Sequence, residues 1–172
     1  MEGWALDMDL VSPDADHGPP GPETVETAVA LEGDPASIAR ARHTAADFLA
    51  RVRDGAGAPV SARARELTQL VVSELVTNVV KYAPGPVLLG VRIAGDTVEI
   101  TVWDSDPQLP VARPLDPGRI GQHGLEIVLA VAQDVEVRRE RVGKRVIVRL
   151  ALLDEDEDED DTALSGRPPQ RR

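Results

Sequence analysis

The chain has no cysteine and only four aromatic residues among its 172 positions. The absence of cysteine excludes disulfide scaffolds, thiol catalysis and cysteine-ligated zinc sites. Long apolar runs are also missing: the longest covers six residues, 127–132, whereas a membrane-spanning helix needs about 18. The first 34 positions contain no lysine or arginine, although a secretory signal begins with a basic region. These absences predict a cytoplasmic protein with no membrane partner.

Negative charge is abundant, but it is concentrated at the two ends of the chain. The formal net charge is −11, from 30 acidic and 19 basic residues. Residues 1–34 hold nine acidic residues, and residues 154–161 are eight acids in succession. Residues 35–153, in contrast, contain 13 acidic and 16 basic residues. Because the overall field opposes polyanions and no nucleic-acid motif is present, we expect no direct nucleic-acid partner.

The composition of the two ends predicts disorder on either side of one domain. Residues 1–23 combine acidic residues with proline and glycine and show no lasting apolar period. Residues 154–172 begin with the self-repelling acidic run and continue without an apolar pattern. Neither segment can bury enough apolar surface to offset the entropy lost on ordering. We therefore predict disordered segments at 1–23 and 154–172, and one ordered domain over residues 24–153.

The apolar pattern of the central part predicts a mixed order of strands and helices. Alternation over residues 25–31 is typical of a strand, and Asp34-Pro35 is typical of a helix start. Helical spacing indicates helices over 36–52 and 61–82. The remaining predicted elements are strands at 87–93, 97–103, 135–142 and 145–152 and a helix at 125–132. This order predicts an α+β fold, a two-layer sandwich whose mostly antiparallel sheet carries helices on one face.

One long irregular segment interrupts this pattern. Residues 105–120 contain four prolines and no usable period. An irregular stretch of this length inside a compact domain is usually a functional loop. The large aromatic residues Phe48 and Trp103, in contrast, are expected in the core.

Two polar side chains interrupt the apolar run of the second long helix. Glu74 and Asn78 are four residues apart, so they share one helix face. A buried carboxylate without a partner costs several kcal/mol, which is a large part of the stability of a small domain. Either an arginine from another helix pairs with Glu74, or the two side chains line a polar cleft. In a cleft, the amide oxygen of Asn78 suits Mg²⁺, and Glu74 suits the orientation or deprotonation of a nucleophile.

An acidic residue stands where an apolar strand leaves the predicted sheet. Asp104 directly follows Val102 and Trp103 and precedes the proline-rich loop. Binding residues are frequent at such places, and a carboxylate there can accept a hydrogen bond from an exocyclic amine. Asp, Ser and Pro also begin ordinary turns, so this segment alone is equally consistent with a simple turn.

A glycine-rich segment leads into the last predicted helix. Residues 118–128 read GRIGQHGLEIV, with Gly121 and Gly124 near the helix start. Glycines allow close approach of the backbone to a ligand, and a helix N-terminus offers free N–H groups to phosphate. The segment matches neither GxxxxGK[ST] nor GxGxxG, which excludes a P-loop and a dinucleotide fingerprint. His123 is interpreted as a loop residue without a catalytic role.

The order of these motifs resembles a known family. An ExxxN helix, two strands, an aspartate at a strand end, a loop and GxxGL at a helix start resemble the GHKL superfamily of ATPases, which has the Bergerat nucleotide-binding fold. Within it, VVSELVTNVVKYA, WDSDPQLP and GQHGLEIV are similar to the N-box and the two glycine boxes of stand-alone bacterial anti-sigma-factor serine kinases. The resemblance covers about residues 24–152.

The resemblance implies ATP and Mg²⁺ as cofactors and assigns roles to four side chains. Asn78 would hold the magnesium ion that bridges the ATP phosphates. Glu74 would act as the general base or orient the nucleophile. Lys81, one helical turn from Asn78, would approach the phosphates. Asp104 would accept a hydrogen bond from the adenine amino group.

The resemblance also identifies a lid over the phosphates. Residues 107–120 would form the ATP lid, and the GxxGL motif of Gly121, Gly124 and Leu125 would wrap its backbone around the phosphates. The chain departs from the family pattern in three respects: the box reads GQHGL rather than GxGL, residues 134–136 replace the usual tryptophan-glycine, and the lid is rich in proline. These departures concern lid geometry and turnover rather than the fold.

The resemblance implies a Mg-ATP-dependent serine kinase that phosphorylates an anti-anti-sigma partner, sequesters a sigma factor and forms a homodimer. An alternative is a switch that binds ATP or ADP without phosphoryl transfer, which the altered GQHGL box favours. The catalytic half of a two-component histidine kinase is less favoured, because the residues before position 35 leave no room for a phospho-accepting helical hairpin. A sandwich of this kind without a ligand is the simplest alternative.

Overall fold

The computed structural model describes residues 25–55, 59–108 and 124–154. These residues form, in chain order, β1 (Val25–Leu31), α1 (Pro35–Gly55), α2 (Ala62–Tyr82), β2 (Val87–Ala94), β3 (Thr97–Asp104), α3 (Gly124–Val131), β4 (Asp134–Arg139) and β5 (Lys144–Ala151). Apart from Asp154, the segments predicted to be disordered lie outside the described residues. Most of the predicted loop, from residue 109 onward, lies outside them as well.

The strands form one antiparallel sheet. Their order is β1-β2-β3-β5-β4, and each neighbouring pair is antiparallel. Helix α1 packs on β1 and β2, whereas α2 packs on α1, β3 and β5, and α3 packs on α2. The predicted α+β sandwich with helices on one face of the sheet is therefore confirmed. No helix in the described ranges is long and apolar enough to cross a membrane.

The hydrophobic core lies between the sheet and the two long helices. Alternate residues of the central strands are buried on the helix-facing side, as Leu89 and Ile100 illustrate. From the helix layer, α2 contributes Val71, Val72, Leu75, Val76 and Val79. Each such aliphatic side chain contributes roughly 1.5–3 kcal/mol relative to exposure in water. These buried side chains determine which side of α2 faces the sheet.

Side-chain caps determine where the two long helices begin. At α1, Asp34 Oδ1 accepts hydrogen bonds from the Ser37 backbone N–H at 2.9 Å and from its hydroxyl at 2.6 Å. At α2, the Ser61 hydroxyl accepts from the Ala64 N–H at 2.9 Å. These bonds satisfy donors that the first helical turn leaves unpaired. The predicted start of α1 at Asp34-Pro35 is confirmed.

The last hairpin differs from its prediction. Strand β4 ends at Arg139 rather than at 142, and β5 begins at Lys144. The intervening turn is closed by the Glu140 N–H, which donates to the Gly143 carbonyl at 3.1 Å, and Gly143 has a φ of +78°. Because the turn needs these residues, Val142 cannot continue the strand although its side chain is strand-like.

The prediction of two core aromatic residues is half right. Phe48 is buried in the core at 2% exposure. Trp103 is only half-buried and lies on the opposite face of the sheet, because its neighbours Val102 and Asp104 point towards the helices. Its indole N–H donates to the Val142 carbonyl at 3.1 Å. Because successive side chains of β3 point to opposite faces of the sheet, Trp103 is placed outside the core although it is apolar.

The outer face of the sheet carries an ion-pair network around Glu99. Its two carboxylate oxygens accept from Arg92 at 2.8 Å and from Arg149 at 3.0 Å, and Arg149 also pairs with Asp134. Burial raises the pKa of Glu99, but the hydrogen bond and charge of Arg92, followed by those of Arg149, outweigh this effect. The pKa of Glu99 is therefore held below its ordinary value.

This network predicts a contribution to stability that acid removes. A carboxyl group whose pKa is lower in the folded state stabilises the fold above its unfolded-state pKa, about 4.5, and loses this contribution as pH falls through the folded-state pKa. We expect Glu99→Gln to lower the free energy of unfolding by about 1 kcal/mol at pH 7 and to flatten its decline below pH 4.5. Urea denaturation between pH 7 and about 3 measures both effects.

The matched control is Glu66→Gln, which changes an exposed carboxylate on α2. Parallel pH profiles for Glu99→Gln and the wild-type protein would contradict the role assigned to the network.

Candidate functional site

Helix α2 brings a carboxylate and an amide together beneath the start of α3. Its valine and leucine side chains face the core, whereas Glu74 and Asn78 are half-buried beside them. A Cβ atom placed on Gly124 would lie 2.5 Å from Glu74 Oε2 and 3.4 Å from Asn78 Oδ1. The first residue of α3 therefore lies directly against this polar pair, and a side chain at position 124 would require the Glu74 carboxylate to move.

A purely structural role for Glu74 would require a basic partner. In the parts of the chain that the structure describes, no arginine or lysine forms an ion pair with Glu74. Its carboxylate instead lies at the packing contact between α2 and α3. This arrangement favours the polar cleft over the structural ion pair as the explanation for a carboxylate within an apolar helix.

Asp104 lies at the end of β3, on the helix-facing side, and is almost completely buried at 2% exposure. Its Oδ1 accepts two hydrogen bonds, from the Lys144 ammonium at 2.9 Å and from the Asp106 backbone N–H at 2.9 Å. Lys144 also donates to the Asp106 carbonyl at 3.0 Å. The carboxylate is thus held by one cation and one backbone donor.

Lys144 is a candidate site residue that the sequence pattern did not indicate. It is the first residue of β5, directly opposite Asp104 in the antiparallel register. Its 8% exposure is unusual for a lysine, which normally keeps its ammonium in water. Sequence alone offers only a Gly-Lys pair at a strand start, because the partnership depends on the pairing of β3 with β5.

Gly143 enables this arrangement through a close approach of two backbone segments. A Cβ atom on Gly143 would lie 1.8 Å from the Asp104 carbonyl oxygen and 2.7 Å from the Ser105 Cα. Its positive φ is also a conformation that other residues rarely adopt. A side chain here would push the end of β3, and Asp104 with it, away from β5.

The end of α2 and the end of β3 meet at the same edge of the sheet. Only residues 83–86 separate α2 from β2, and the first residue of β2, Val87, is the antiparallel partner of Asp104. The C-terminal half of α2, which carries Asn78, is therefore directed to the edge that holds Asp104.

The other residues predicted for the site either have a position in an element or lie outside the described residues. Lys81 is exposed in the last turn of α2, one turn beyond Asn78. Leu125 is half-buried beside Gly124 at the start of α3. Gly121 and residues 109–120 of the predicted lid lie outside the described residues.

The donor chemistry fits one magnesium ion only if the nucleotide supplies most of the ligands. The described residues contain no cluster of three or more His, Asp or Glu side chains that could hold a metal by themselves. The oxygens of Asn78 and Glu74 are the hard ligands that Mg²⁺ prefers, and protein-bound Mg²⁺ usually takes its other ligands from phosphates and water. Asn78 is therefore suited to hold a metal that arrives with a phosphorylated ligand.

Comparison with known families identifies the domain. Residues 31–150 match the model of the histidine kinase-like ATPase domain, which covers more than half of the chain. The chain belongs to the histidine kinase-like ATPase family. Membership implies an ATP-binding domain, consistent with the polar pair on α2 and the buried aspartate on β3. Among curated proteins, no match to this histidine kinase-like ATPase was found.

Two solved structures resemble the histidine kinase-like ATPase domain described above. The structure of the RsbU and RsbW domains of Rv1364c from Mycobacterium tuberculosis aligns with a TM-score of 0.56 and 16% identity, covering 74% of this chain and 32% of the other. The chain thus spans about a third of that structure, and the likeness shows the fold. A histidine kinase domain from Erythrobacter litoralis EL346 aligns with a TM-score of 0.40 and 15% identity, covering 65% of this chain and 61% of the other.

The close approach at Gly143 yields a prediction with an internal control. Gly95 also has a positive φ, +62°, but a Cβ there would meet nothing within 4 Å. We expect Gly95→Ala to cost about 1 kcal/mol from backbone strain alone. We expect Gly143→Ala to cost about 3 kcal/mol or more, because the strain is joined by a clash with backbone that cannot move independently. Urea denaturation measures both variants, and equal losses would contradict the close-approach argument.

Proposed function

We propose that the domain binds ATP with Mg²⁺ and transfers its terminal phosphoryl group to a serine of a protein partner. The observation that supports this most strongly is the pair of Glu74 and Asn78, which lie side by side against Gly124 without a basic partner for Glu74 in the described residues. A carboxylate and an amide held in this way provide a base and a metal ligand within one helical turn.

The nucleotide base would be recognised at the other end of the site. Asp104 is buried, and both of its donors use Oδ1. Its second oxygen, Oδ2, is then the atom that would accept from the adenine amino group. The triphosphate would extend from there towards Asn78, with Lys81 and the backbone of Gly121, Gly124 and Leu125 around its oxygens.

Phosphoryl transfer depends on positioning and charge neutralisation more than on covalent chemistry by the protein. Bound Mg²⁺ supplies neutralisation of the phosphate charge. Asn78 would hold the metal through Oδ1, and Gly124 would keep the backbone close to Glu74. Glu74 would accept the proton of the attacking serine hydroxyl, or orient that hydroxyl towards the phosphorus.

For the biological role, we propose the one implied by the resemblance to anti-sigma-factor serine kinases. The phosphoryl acceptor would be an anti-anti-sigma protein, and the domain would sequester a sigma factor when that partner is phosphorylated. A homodimer in the cytoplasm and an ordered domain over residues 24–153 belong to the same proposal. The solved structure that contains an RsbW domain supports the fold on which this role is based.

A second candidate is a switch that binds ATP or ADP and alters partner affinity without phosphoryl transfer. The altered box around Gly121 and Gly124, GQHGL, favours it, because it lengthens the segment that would wrap the phosphates. The two candidates share the binding site and differ only in whether Glu74 performs chemistry. Incubation of the domain with labelled ATP and the partner protein distinguishes the two candidates. Stoichiometric phosphoserine on the partner would exclude the switch without phosphoryl transfer.

The proposed roles predict different effects of two substitutions on α2. Asn78→Ala removes the metal ligand, so we expect at least a tenfold loss of MgATP affinity, roughly 1.4 kcal/mol, in calorimetry. Glu74→Gln keeps the size of the side chain, so we expect affinity within about threefold and a loss of transfer of about 10²–10⁴-fold. Transfer is measured with labelled ATP, Mg²⁺ and a partner recovered by nucleotide-dependent pull-down.

Glu66→Gln is the matched control on the same helix, since Glu66 is exposed near the opposite end of α2. It should leave binding and transfer unchanged. Full transfer by Glu74→Gln would exclude a general-base role, and undiminished MgATP binding by Asn78→Ala would exclude the proposed metal ligand.

A further inference from the structure

The buried carboxylate of Asp104 is paired with a lysine, a residue that is rarely buried. Lys144 and Asp104 are both more than nine-tenths buried, and their ion pair measures 2.9 Å. Removing an ammonium from water is costly, because it is compact and strongly hydrated, and a buried pair regains that cost only with good geometry. Lys144 compensates the buried charge of Asp104, and its hydrogen bond to one particular oxygen also determines how the carboxylate is oriented. The pair therefore has a geometric effect in addition to neutralising the charge.

The geometry of the pair restricts the carboxylate in a specific way. The Lys144 ammonium and the Asp106 N–H both donate to Oδ1, at 2.9 Å each. Two donors on one oxygen fix the rotation of the carboxylate group about its bond to Cβ. Both side chains also start from opposed positions of paired strands, so their backbones are held by the sheet. Oδ2 is consequently held in one direction as a hydrogen-bond acceptor.

We propose that Lys144 is a positioning residue that holds Asp104 as a fixed acceptor, so that the site selects 6-amino purines over 6-oxo purines. A carboxylate can only accept hydrogen bonds, and the 6-amino group of adenine can donate one. The 6-oxo group of hypoxanthine or guanine presents lone pairs to the same oxygen and is rejected. This inference rests on the proposed binding of ATP and adds the residue that determines base selectivity.

The same ammonium connects base recognition to the start of the loop. Lys144 donates to the Asp106 carbonyl at 3.0 Å as well as to Asp104. Asp106 in turn accepts from the Gln108 N–H at 2.9 Å through its own carboxylate. Residues 104–108 thus form a hydrogen-bonded chain whose fixed end is Lys144. A change in the base contact at Asp104 would therefore reach the first residues of the loop directly.

A double comparison of protein variant and nucleotide tests the proposal. ATP and inosine triphosphate differ at the 6-position, and both are titrated with Mg²⁺ into the 172-residue chain by calorimetry. We expect the wild-type protein to prefer ATP by at least about tenfold. Lys144→Met should reduce this preference at least fivefold, mainly by lowering the affinity for ATP. Lys144→Arg keeps the positive charge and should retain part of the preference.

The matched control is Arg145→Met, which removes a positive charge one residue away. Arg145 lies on the outer face of the sheet and pairs with Glu140 at 2.9 Å. It should retain the wild-type preference for ATP. Lys144→Thr replaces the methionine variant if thermal melting shows that Lys144→Met does not fold, because threonine is smaller and uncharged.

The possible results separate this inference from the proposed function. If Lys144→Met or Lys144→Thr lowers the affinities for ATP and for inosine triphosphate by the same factor, Lys144 only supports the fold. That result would overturn the inference. A wild-type protein that binds both nucleotides equally would overturn it as well, while leaving nucleotide binding intact. A wild-type protein that binds neither would overturn the proposed function, and the inference with it.

Discussion

The burial of one carboxylate constrains the end of the domain that carries the candidate site. Asp104 is removed from water at the end of a central strand, and an isolated charge there would cost more than a small domain can spare. Its cationic partner comes from the neighbouring strand, where β5 begins at Lys144, directly opposite. Gly143 precedes Lys144 and has no side chain that would clash with the Asp104 carbonyl, which the turn passes closely. Strand register, turn conformation and the glycine therefore all support the same ion pair.

Helix α2 has two roles in the structure, because it covers the sheet and also presents polar groups. Its valine and leucine side chains complete the core, and their spacing leaves Glu74 and Asn78 on a flank that meets α3 rather than the sheet. Gly124 closes this flank without displacing either side chain. The same helix therefore supplies stability and the candidate chemical groups, so substitutions on its two sides should be separable in their effects.

The sequence predicts the elements well and the partnerships poorly, for a physical reason. Periodicity and capping are local, and they identified every described strand and helix, with the largest errors, three residues each, at the ends of α1 and β4. Polar residues inside an apolar helix are also a local signal, which indicated Glu74 and Asn78. Lys144 was missed because its partner is 40 residues away and depends on strand register. Trp103 was misplaced because its residue type does not reveal which face of a sheet the helices cover.

The capped start of α2 also joins the two layers of the fold at one end. Ser61 donates its backbone N–H to the Leu152 carbonyl at 3.1 Å and its hydroxyl to Asp154 at 3.3 Å. The residues directly after β5 are thus hydrogen-bonded to the start of a 21-residue helix, about 30 Å long, whose C-terminal half carries Asn78. The position of α2 over the sheet therefore depends on residues 152–154 as well as on its apolar face, so a change at the end of β5 acts on the same helix that presents the polar pair.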